Sequence, residues 1–375
     1  MQKEASGSIN KILAAVLIGV MLVLMIGIVV SGWQTETNGE NSDDGGNLTA
    51  NVDNLNGDTD KNSGTADNFS NIENTPQKNP EYVNYLTGLE TGSTLVNRAP
   101  LVMINDSNAP SYGISNSELT IEIPIEFGKT RFLNYKTDIS ELGKLGAFVS
   151  TRNYITALTS FFGGLLVSLG NDDIVSYPSL SSSLPFDLSK HTDVIYKENG
   201  RNVYTDGASI ISVAKDEDID LFSYKRESLP FEFCGFDEKV SGKTSAKEIY
   251  APYSDDNTTS LIYDEPSQRY VLYKNERIKV DLLNGENLSY KNVFILFADV
   301  VTYETSYGTE SVMKTDAEGT GYYISNGTLT EIKWSVDSSN KLVFKNLNGE
   351  KLIINRGNSY IGYYKSSNSD FITVK

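Results

Sequence analysis

A long apolar segment near the start of the chain constrains where the rest of the protein can fold. Residues 12–30 contain no charged side chain, and as a helix with about 1.5 Å of rise per residue they span roughly 28 Å, close to a bilayer core. Lys3 and Lys11 precede the segment, and the next basic residue is Lys61. Because basic residues favour the cytoplasmic side, we expect a cytoplasmic N-terminus at 1–11, a single-pass transmembrane anchor and an extracytoplasmic globular part at the cell membrane.

The alternative is a signal peptide that is removed after export. Val30 and Ser31 would provide a passable small-residue cleavage site. The apolar part of a signal peptide usually has about 7–15 residues, so the length of this segment favours a retained anchor.

The charge of the chain excludes one broad class of partner. The formal net charge is −17, whereas a nucleic-acid-binding surface needs many basic side chains to neutralise phosphates. The same charge argues against broad binding to anionic lipid headgroups. We therefore expect no nucleic-acid partner, and contact with the lipid bilayer only through residues 12–30.

Cysteine and histidine are too scarce for several kinds of functional site. Cys234 is the only cysteine, which excludes an intramolecular disulfide, and its aromatic neighbours Phe233 and Phe236 indicate a buried thiol. His191 is the only histidine, which excludes metal sites with several histidines. A Ser-His-Asp triad would have to use this one residue, in a polar loop. We predict no catalytic residue, no metal and no cofactor.

Composition divides the remaining chain into a linker and two folded parts. Residues 31–80 are rich in Asn, Asp, Gly, Ser and Thr, and they bury too little apolar surface to offset the entropy of ordering. We therefore predict a disordered acidic linker there. An N-terminal domain is assigned to 81–228, a connector to 229–247, a C-terminal domain to 248–365 and a tail to 366–375.

Apolar periodicity predicts an α+β fold. The N-terminal domain mixes strands with helical patterns at Thr151–Phe161 and Thr205–Ala214, which is typical of an α/β layer. Leu119–Glu126 alternates apolar and polar side chains, as a half-buried strand does. The C-terminal domain is predicted to be mostly antiparallel β, because pairs such as Asn326-Gly327 separate short apolar runs.

Several short motifs follow one another in a characteristic order between residues 84 and 364. They include Asn84-Tyr85-Leu86-Thr87-Gly88-Leu89, Val102-Met103-Ile104-Asn105, Glu122-Ile123-Pro124-Ile125-Glu126, Gly128-Lys129-Thr130-Arg131, Ser150-Thr151-Arg152, Asn202-Val203-Tyr204-Thr205, Val280-Asp281 and Gly319-Thr320-Gly321. Together they resemble the YerB-like family of bacterial extracytoplasmic proteins, a domain of unknown function (DUF3048) with N- and C-terminal parts. The order of the motifs, rather than any single one, carries this resemblance.

The chain departs from the family pattern at positions that bear on chemistry. Members typically have Arg-Ser-Ala-Arg where this chain has Val149-Ser150-Thr151-Arg152. They have histidine-containing segments where it has Ser168-Leu169-Gly170-Asn171 and Arg201-Asn202. Any chemistry that depends on those two histidines is lost or altered here. Members are commonly lipoproteins, but no cysteine comes directly after the apolar segment 12–30, so we expect the helix itself to be the anchor.

Polar residues that match the family pattern outside the core form the predicted ligand site. They are Glu122, Glu126, Thr130, Arg131, Ser150, Arg152, Asn202 and Tyr204. Arg131 and Arg152 can donate paired hydrogen bonds to the carboxylate or phosphate groups that envelope polymers carry. The alternative is an internal ion-pair network that ties two strands and a helix together.

Two other patterns in the sequence resemble parts of catalytic or phosphate-binding sites. On a continuous strand, Glu122 and Glu126 would share a face with backbones roughly 13 Å apart, whereas glycosidase carboxyls lie about 5–9.5 Å apart. Each glutamate is therefore expected to be a solvated strand residue or a partner of Arg131 or Arg152. Gly319-Thr320-Gly321 is too short for a phosphate-binding loop and is predicted to be a bulge or turn.

These observations predict a membrane-anchored extracytoplasmic protein that binds a cell-envelope polymer or another envelope protein. One alternative is an enzyme that modifies an envelope polymer such as peptidoglycan, which would need a carboxylate or His191 in a deep pocket beside a second polar group. Another is an assembly protein whose strand-rich C-terminal domain docks a partner. Its candidate surface comprises Tyr303, Tyr307, Tyr322 and Tyr323.

Overall fold

Most apolar runs of the sequence form β-strands. The structure is a computed structural model that describes residues 80–171, 186–222, 231–339 and 341–375. The predicted anchor at 12–30 and the predicted linker up to residue 79 lie outside the described residues.

The N-terminal half of the described chain combines short strands with two α-helices. The strands are β1 (Leu101–Asp106), β2 (Leu119–Pro124), β3 (Thr130–Lys136), β4 (Leu145–Phe148), β5 (Leu165–Ser168), β6 (Phe186–Asp187), β7 (Tyr196–Glu198) and β8 (Asn202–Thr205). The helices are α1 (Asn153–Thr159) and α2 (Gly207–Asp216), with 3₁₀ turns at Glu126–Gly128 and Leu188–Lys190. Within the described ranges, no helix combines the length and apolar character needed to cross a bilayer.

The C-terminal half is built from strands. They are β9 (Glu232–Phe233), β10 (Thr244–Ser245), β11 (Glu248–Ser254), β12 (Asn257–Asp264), β13 (Arg269–Lys274), β14 (Arg277–Ile278), β15 (Ser289–Tyr290), β16 (Asn292–Ala298), β17 (Val300–Thr305), β18 (Gly308–Met313), β19 (Glu318–Ser325), β20 (Thr328–Val336), β21 (Leu342–Asn346), β22 (Ile353–Ile354), β23 (Ser359–Lys365) and β24 (Thr373–Val374). A 3₁₀ turn at Ser366–Phe371 precedes β24.

One large sheet runs through both halves of the chain. Its order is β10-β20-β19-β16-β23-β2-β3-β1-β4-β8-β7, with β5, β6 and β21 attached at its sides. β23 lies parallel to β2, with Thr120 opposite Tyr360 and Ile121 opposite Ile361. A second sheet has the order β14-β13-β12-β11-β24, with β15 on β13, and β17 pairs with β18 in a separate hairpin.

This architecture differs from the predicted succession of a mixed α/β domain and an antiparallel β domain. The described residues are mostly β, and their α+β character rests on α1 and α2. The two halves join because β23 completes the sheet beside β2, a pairing between residues about 240 positions apart that local periodicity does not record. The described residues belong to one compact unit, Thr75–Lys375. The proposed boundaries at 228 and 248 stay predictions.

Alternation along β2 divides the interior into two cores. Leu119, Ile121 and Ile123 belong to the core beneath α1, which also contains Trp334. The other face of the large sheet contributes residues such as Phe132 to a core shared with the second sheet. The even positions Thr120 and Glu122 of β2 are also fully buried, so the sheet has a polar buried seam on that side.

The glycine pair Gly319 and Gly321 lies inside β19 rather than in the predicted bulge or turn. A Cβ atom on Gly319 would lie 2.2 Å from the carbonyl oxygen of Phe297 and 2.7 Å from Nε1 of Trp334. The indole of Trp334 donates hydrogen bonds to the carbonyls of Phe297 and Thr320, both at 3.1 Å. These contacts require the close backbone approach that only glycine permits.

Candidate functional site

The eight polar residues predicted as one site occupy three places. Successive side chains of a strand point to opposite faces of the sheet, so residues close in the sequence are separated. Glu122 and Thr130 contact the second sheet, Glu126, Arg131, Ser150 and Arg152 gather on the opposite face near α1, and Asn202 and Tyr204 lie on β8.

Glu122 lies at the centre of a buried network with Thr130, Thr259, Lys274 and Tyr360. Its Oε1 accepts hydrogen bonds from Thr130 Oγ1 (2.7 Å) and Lys274 Nζ (2.6 Å). Its Oε2 accepts from Thr259 Oγ1 (2.9 Å) and Tyr360 Oη (2.7 Å). Burial and the adjacent Glu122 carboxylate raise the pKa of Tyr360 well above its ordinary value, so this phenol stays a donor.

The ammonium of Lys274 is satisfied within the same buried network. Its Nζ also donates to Asn257 Oδ1 and Thr259 Oγ1, both at 2.8 Å. The side chains of Glu122 and Lys274 are 0% and 4% exposed. Both charges are paired and fully hydrogen-bonded, which is the condition for burying an ion pair without a large penalty. This part of the predicted site is an internal bond between the two sheets.

Glu122 and Glu126 do not share a strand face, so that prediction was wrong. β2 ends at Pro124, and Glu126 begins a 3₁₀ turn in which Phe127 has a φ of 63°. The turn brings the Glu126 carboxylate to Tyr154 Oη at 3.4 Å, while Glu122 faces the second sheet. The geometry therefore offers no support for a glycosidase-like carboxylate pair.

Glu126 and Arg152 form the buried part of a charged cluster, which we define as Asp106, Glu126, Arg131, Ser150 and Arg152. Arg152 Nε lies 3.1 and 3.3 Å from the two carboxylate oxygens of Glu126. Its Nη1 donates to Ser150 Oγ at 3.3 Å and to the Thr151 carbonyl at 3.0 Å. The side chains of Arg152 and Glu126 are 6% and 1% exposed. This pair is the contact that the internal-network alternative predicts for Arg152, and it fixes the 3₁₀ turn against the start of α1.

Arg131 completes the charged cluster closer to solvent. Its Nη1 donates to Asp106 Oδ2 at 3.1 Å, and the Asp106 side chain is 31% exposed. Nε of Arg131 is buried and has no hydrogen-bond partner among the described residues. Burial lowers the pKa of Arg131, and Asp106 opposes that shift. A buried guanidinium N–H without an acceptor is unfavourable and uncommon in folded proteins.

An exposed aromatic pair, Phe127 and Tyr307, adjoins the charged cluster. The two rings are 6.2 Å apart and nearly perpendicular, and the residues are 56% and 73% exposed. Phe127 follows Glu126 in the turn, while Tyr307 lies at the tip of the β17–β18 hairpin. Of the four tyrosines predicted as a docking surface, Tyr307 alone is strongly exposed, since Tyr323 is buried and Tyr303 and Tyr322 are half-buried. The sequence offered no signal for Phe127.

Asn202 and Tyr204 lie apart from both groups, on β8, next to the edge strand β7 of the large sheet. Tyr204 is 1% exposed, and its ring meets Tyr112 edge-on at 5.4 Å and Tyr196 at 5.9 Å. β8 pairs with β7 so that Tyr204 lies opposite Tyr196. The rings of Tyr112, Tyr196 and Tyr204 form an aromatic group that lies apart from the other predicted site residues.

The lone cysteine and histidine occupy the environments expected from the sequence. Cys234 is 4% exposed, and its thiol donates to the Glu238 carbonyl at 3.3 Å, so the prediction of a buried thiol is confirmed. His191 stacks on Phe186 and lies 2.8 Å from the Glu217 carboxylate at a half-exposed position.

Two of the motifs that carry the family resemblance have structural roles. Arg356 Nη1 donates to the Gly88 carbonyl, Nε donates to the Cys234 carbonyl at 2.8 Å, and its guanidinium lies 3.6 Å from the Phe236 ring centroid. These contacts hold the segment that contains Asn84-Tyr85-Leu86-Thr87-Gly88-Leu89. In the other motif, the buried Asp281 carboxylate accepts hydrogen bonds from the backbone N–H groups of Gly113 (2.9 Å) and Ser115 (2.7 Å). Each contact joins an N-terminal loop to the C-terminal half.

Comparisons with known proteins agree with this two-part chain. Residues 86–220 match the N-terminal domain model, and residues 249–361 the C-terminal domain model, of a protein of unknown function, DUF3048. No curated protein sequence matches the chain. The crystal structure of the YerB protein from Bacillus subtilis is similar, with a TM-score of 0.62 and 18% identity over 79% of this chain and 100% of that chain. At this identity the likeness describes the fold alone.

Proposed function

The chain belongs to the DUF3048 family of proteins of unknown function, and from that premise we propose that it is a membrane-tethered extracytoplasmic binding protein. Its ligand is a carboxylate or phosphate group on a cell-envelope polymer, and Arg131 is the residue that binds it. The observation that carries this proposal is the buried Nε of Arg131, which has no hydrogen-bond partner among the described residues.

The chemistry of Arg131 supports an oxyanion ligand. Within the described residues its side chain makes one hydrogen bond, to Asp106, so further N–H donors remain. A guanidinium can donate two parallel hydrogen bonds to a carboxylate or phosphate. Asp106 is part-exposed and holds Arg131 in place, so the cation is positioned before the ligand arrives.

The aromatic pair supports a polymer built from sugars. Phe127 lies four residues before Arg131, at the turn that joins β2 to β3. Its positive φ is an uncommon conformation for a bulky residue, and such strain concentrates at binding sites. Exposed ring faces of Phe127 and Tyr307 provide apolar surface for the C–H face of a sugar next to the charged cluster.

The contacts of the other candidate groups favour binding over catalysis. Glu122 is enclosed by internal donors, and His191 pairs with Glu217 at the surface. The enzyme hypothesis needs one of these groups in an open, deep pocket beside a second polar group. The described geometry favours no second candidate function.

Retention on cell-wall sacculi tests the proposal. The full chain, held in detergent micelles, is sedimented with sacculi that carry their anionic polymers and with sacculi stripped of them. We expect Arg131→Ala to reduce binding about 10-fold or more, because a charge-assisted hydrogen-bond pair is lost. Lys129→Ala is the matched control, since Lys129 is exposed, carries the same charge and lies two residues away. It should bind as the parent does.

The two arginines have different expected effects. Arg152→Ala removes one member of the buried pair with Glu126 and should lower the free energy of unfolding by about 3 kcal/mol. Arg131→Ala should lower the free energy of unfolding less than Arg152→Ala does, and it should weaken binding more. Equal retention of the parent chain and Arg131→Ala would overturn the proposal. It would also be overturned if the parent chain were retained on neither kind of sacculus. Binding that survives stripping assigns the acceptor to the peptidoglycan itself.

A further inference from the structure

Three tyrosine rings surround the ammonium of Lys144 at the edge of the large sheet. Lys144 Nζ lies 3.9 Å from the ring centroid of Tyr112, 4.2 Å from that of Tyr204 and 6.0 Å from that of Tyr196. The Glu198 carboxylate is 2.7 Å from the same nitrogen. We call Tyr112, Tyr196 and Tyr204 the tyrosine box. Aromatic faces and a carboxylate around one cation are the arrangement by which proteins recognise alkylammonium groups.

The tyrosine box is held by the backbone rather than by Lys144. Tyr196 and Tyr204 are paired directly across β7 and β8. Tyr112 exchanges two backbone hydrogen bonds with Gly146 of β4, at 2.7 and 3.2 Å. The rings therefore keep their positions when the cation between them is exchanged, which lowers the entropic cost of binding.

Lys144 is held by contacts that a ligand cation can replace. Within the described residues its ammonium makes one hydrogen bond, to Glu198, whose side chain is 43% exposed. Exposed ion pairs are individually weak. Partial burial opposes the charge of Lys144, but Glu198 and the tyrosines outweigh it and raise the pKa of Lys144, so this amine stays a cation.

We propose that the tyrosine box is a binding site for alkylammonium groups and that Lys144 is its resident occupant, displaced when a ligand binds. Glu198 pairs with the incoming ammonium as it pairs with Lys144. This site is separate from the Arg131 site and does not depend on it. The sequence analysis placed Tyr204 in a site for an anionic ligand. In the tyrosine box it would contact a cationic ligand instead.

Calorimetric titration of the full chain in detergent micelles tests this proposal. The probes are methylammonium chloride and a glucosamine trisaccharide, which carries the same primary ammonium on a sugar. We expect weak saturable binding to the parent chain and about 10-fold tighter binding to Lys144→Ala, because the internal competitor is removed. Adding Tyr196→Ala to that variant should weaken binding about 2- to 5-fold. Lys215→Ala, an exposed lysine on α2, is the charge-matched control and should not change affinity.

Each result of these titrations either supports or overturns the proposal. Absence of saturable binding to folded Lys144→Ala overturns the proposal, as does binding that Tyr196→Ala leaves unchanged. If near-ultraviolet circular dichroism shows that Lys144→Ala is unfolded, Tyr196→Ala in the parent chain replaces it. Tyr196 is 42% exposed on an edge strand, so that variant keeps the fold. Tighter binding of the trisaccharide than of methylammonium assigns the ammonium to a polymer, and the reverse order assigns it to a small cation.

Discussion

Glu122 of β2 and Lys274 of β13 form an ion pair of 2.6 Å that is buried between the two sheets. Glu122 belongs to the segment that matches the N-terminal family model and Lys274 to the segment that matches the C-terminal one. The pair therefore joins two parts that are recognised separately in the sequence. Together with the β2–β23 pairing, it connects the two halves within one compact unit.

Removal of one member of this pair should be strongly destabilising. Glu122→Ala leaves the Lys274 ammonium buried without its counter-charge, and we expect a loss of about 3–5 kcal/mol in the free energy of unfolding. Urea denaturation followed by circular dichroism measures this. Glu265→Ala is the matched control, because Glu265 pairs with Lys247 at the surface and the two side chains are 65% and 62% exposed. A loss for Glu122→Ala as small as that of the control would show that the buried pair does not couple the two sheets.

Lys279 should make stability rise with pH in the mildly alkaline range. The residue is 8% exposed, its Nζ donates to the Ala109 carbonyl, and burial lowers its pKa to about 8, against partial opposition from Asp106. Between this pKa and the unfolded value of about 10.4, the unfolded chain binds more protons, so stability increases with pH. We expect a gain of roughly 2 kcal/mol between about pH 8 and 9.5. Denaturation at a series of pH values measures it.

Lys279→Met is the variant that isolates this titration. It should flatten the rise, which continues to the unfolded pKa of about 10.4, and leave in place the fall at higher pH, where unfolded tyrosines ionise before buried ones. Burial raises the pKa of Tyr270 and Tyr290 in the folded protein, so ionisation of the unfolded chain lowers stability there. If the free energy of unfolding changed with pH in the same way for the parent and Lys279→Met below about pH 9.5, the role given to Lys279 would be contradicted.

Gly319 should not tolerate even a methyl group. In Gly319→Ala the new Cβ would meet the Phe297 carbonyl and the indole of Trp334, and neither the β16 backbone nor that ring can move freely. We expect a loss of about 1–3 kcal/mol by overpacking and a shift in Trp334 fluorescence. Gly143→Ala is the control, because its Cβ would meet nothing within 4 Å, and its effect should stay within about 0.5 kcal/mol. An unchanged unfolding midpoint for Gly319→Ala would refute the close approach.

Local sequence patterns predicted those features that depend on a single strand or on neighbouring residues. The alternation of Leu119–Glu126 predicted a strand, and β2 covers Leu119–Pro124 with its odd positions in one core. The aromatic surroundings of Cys234 predicted a buried thiol, which the structure confirms. Arg152 was expected either to bind a ligand or to join an internal network, and its buried pair with Glu126 supports the network.

The chain alone determined the family, the strands with strong periodicity and the residue types that a binding site would use, because these depend on neighbours in the sequence. Tertiary structure alone decided which of those residues meet. Lys274 reaches Glu122 from 152 positions away, and a single turn at Phe127 sends Glu126 to the opposite face of the sheet. Such meetings depend on long-range strand pairing and on side-chain direction, and no local pattern encodes either of them.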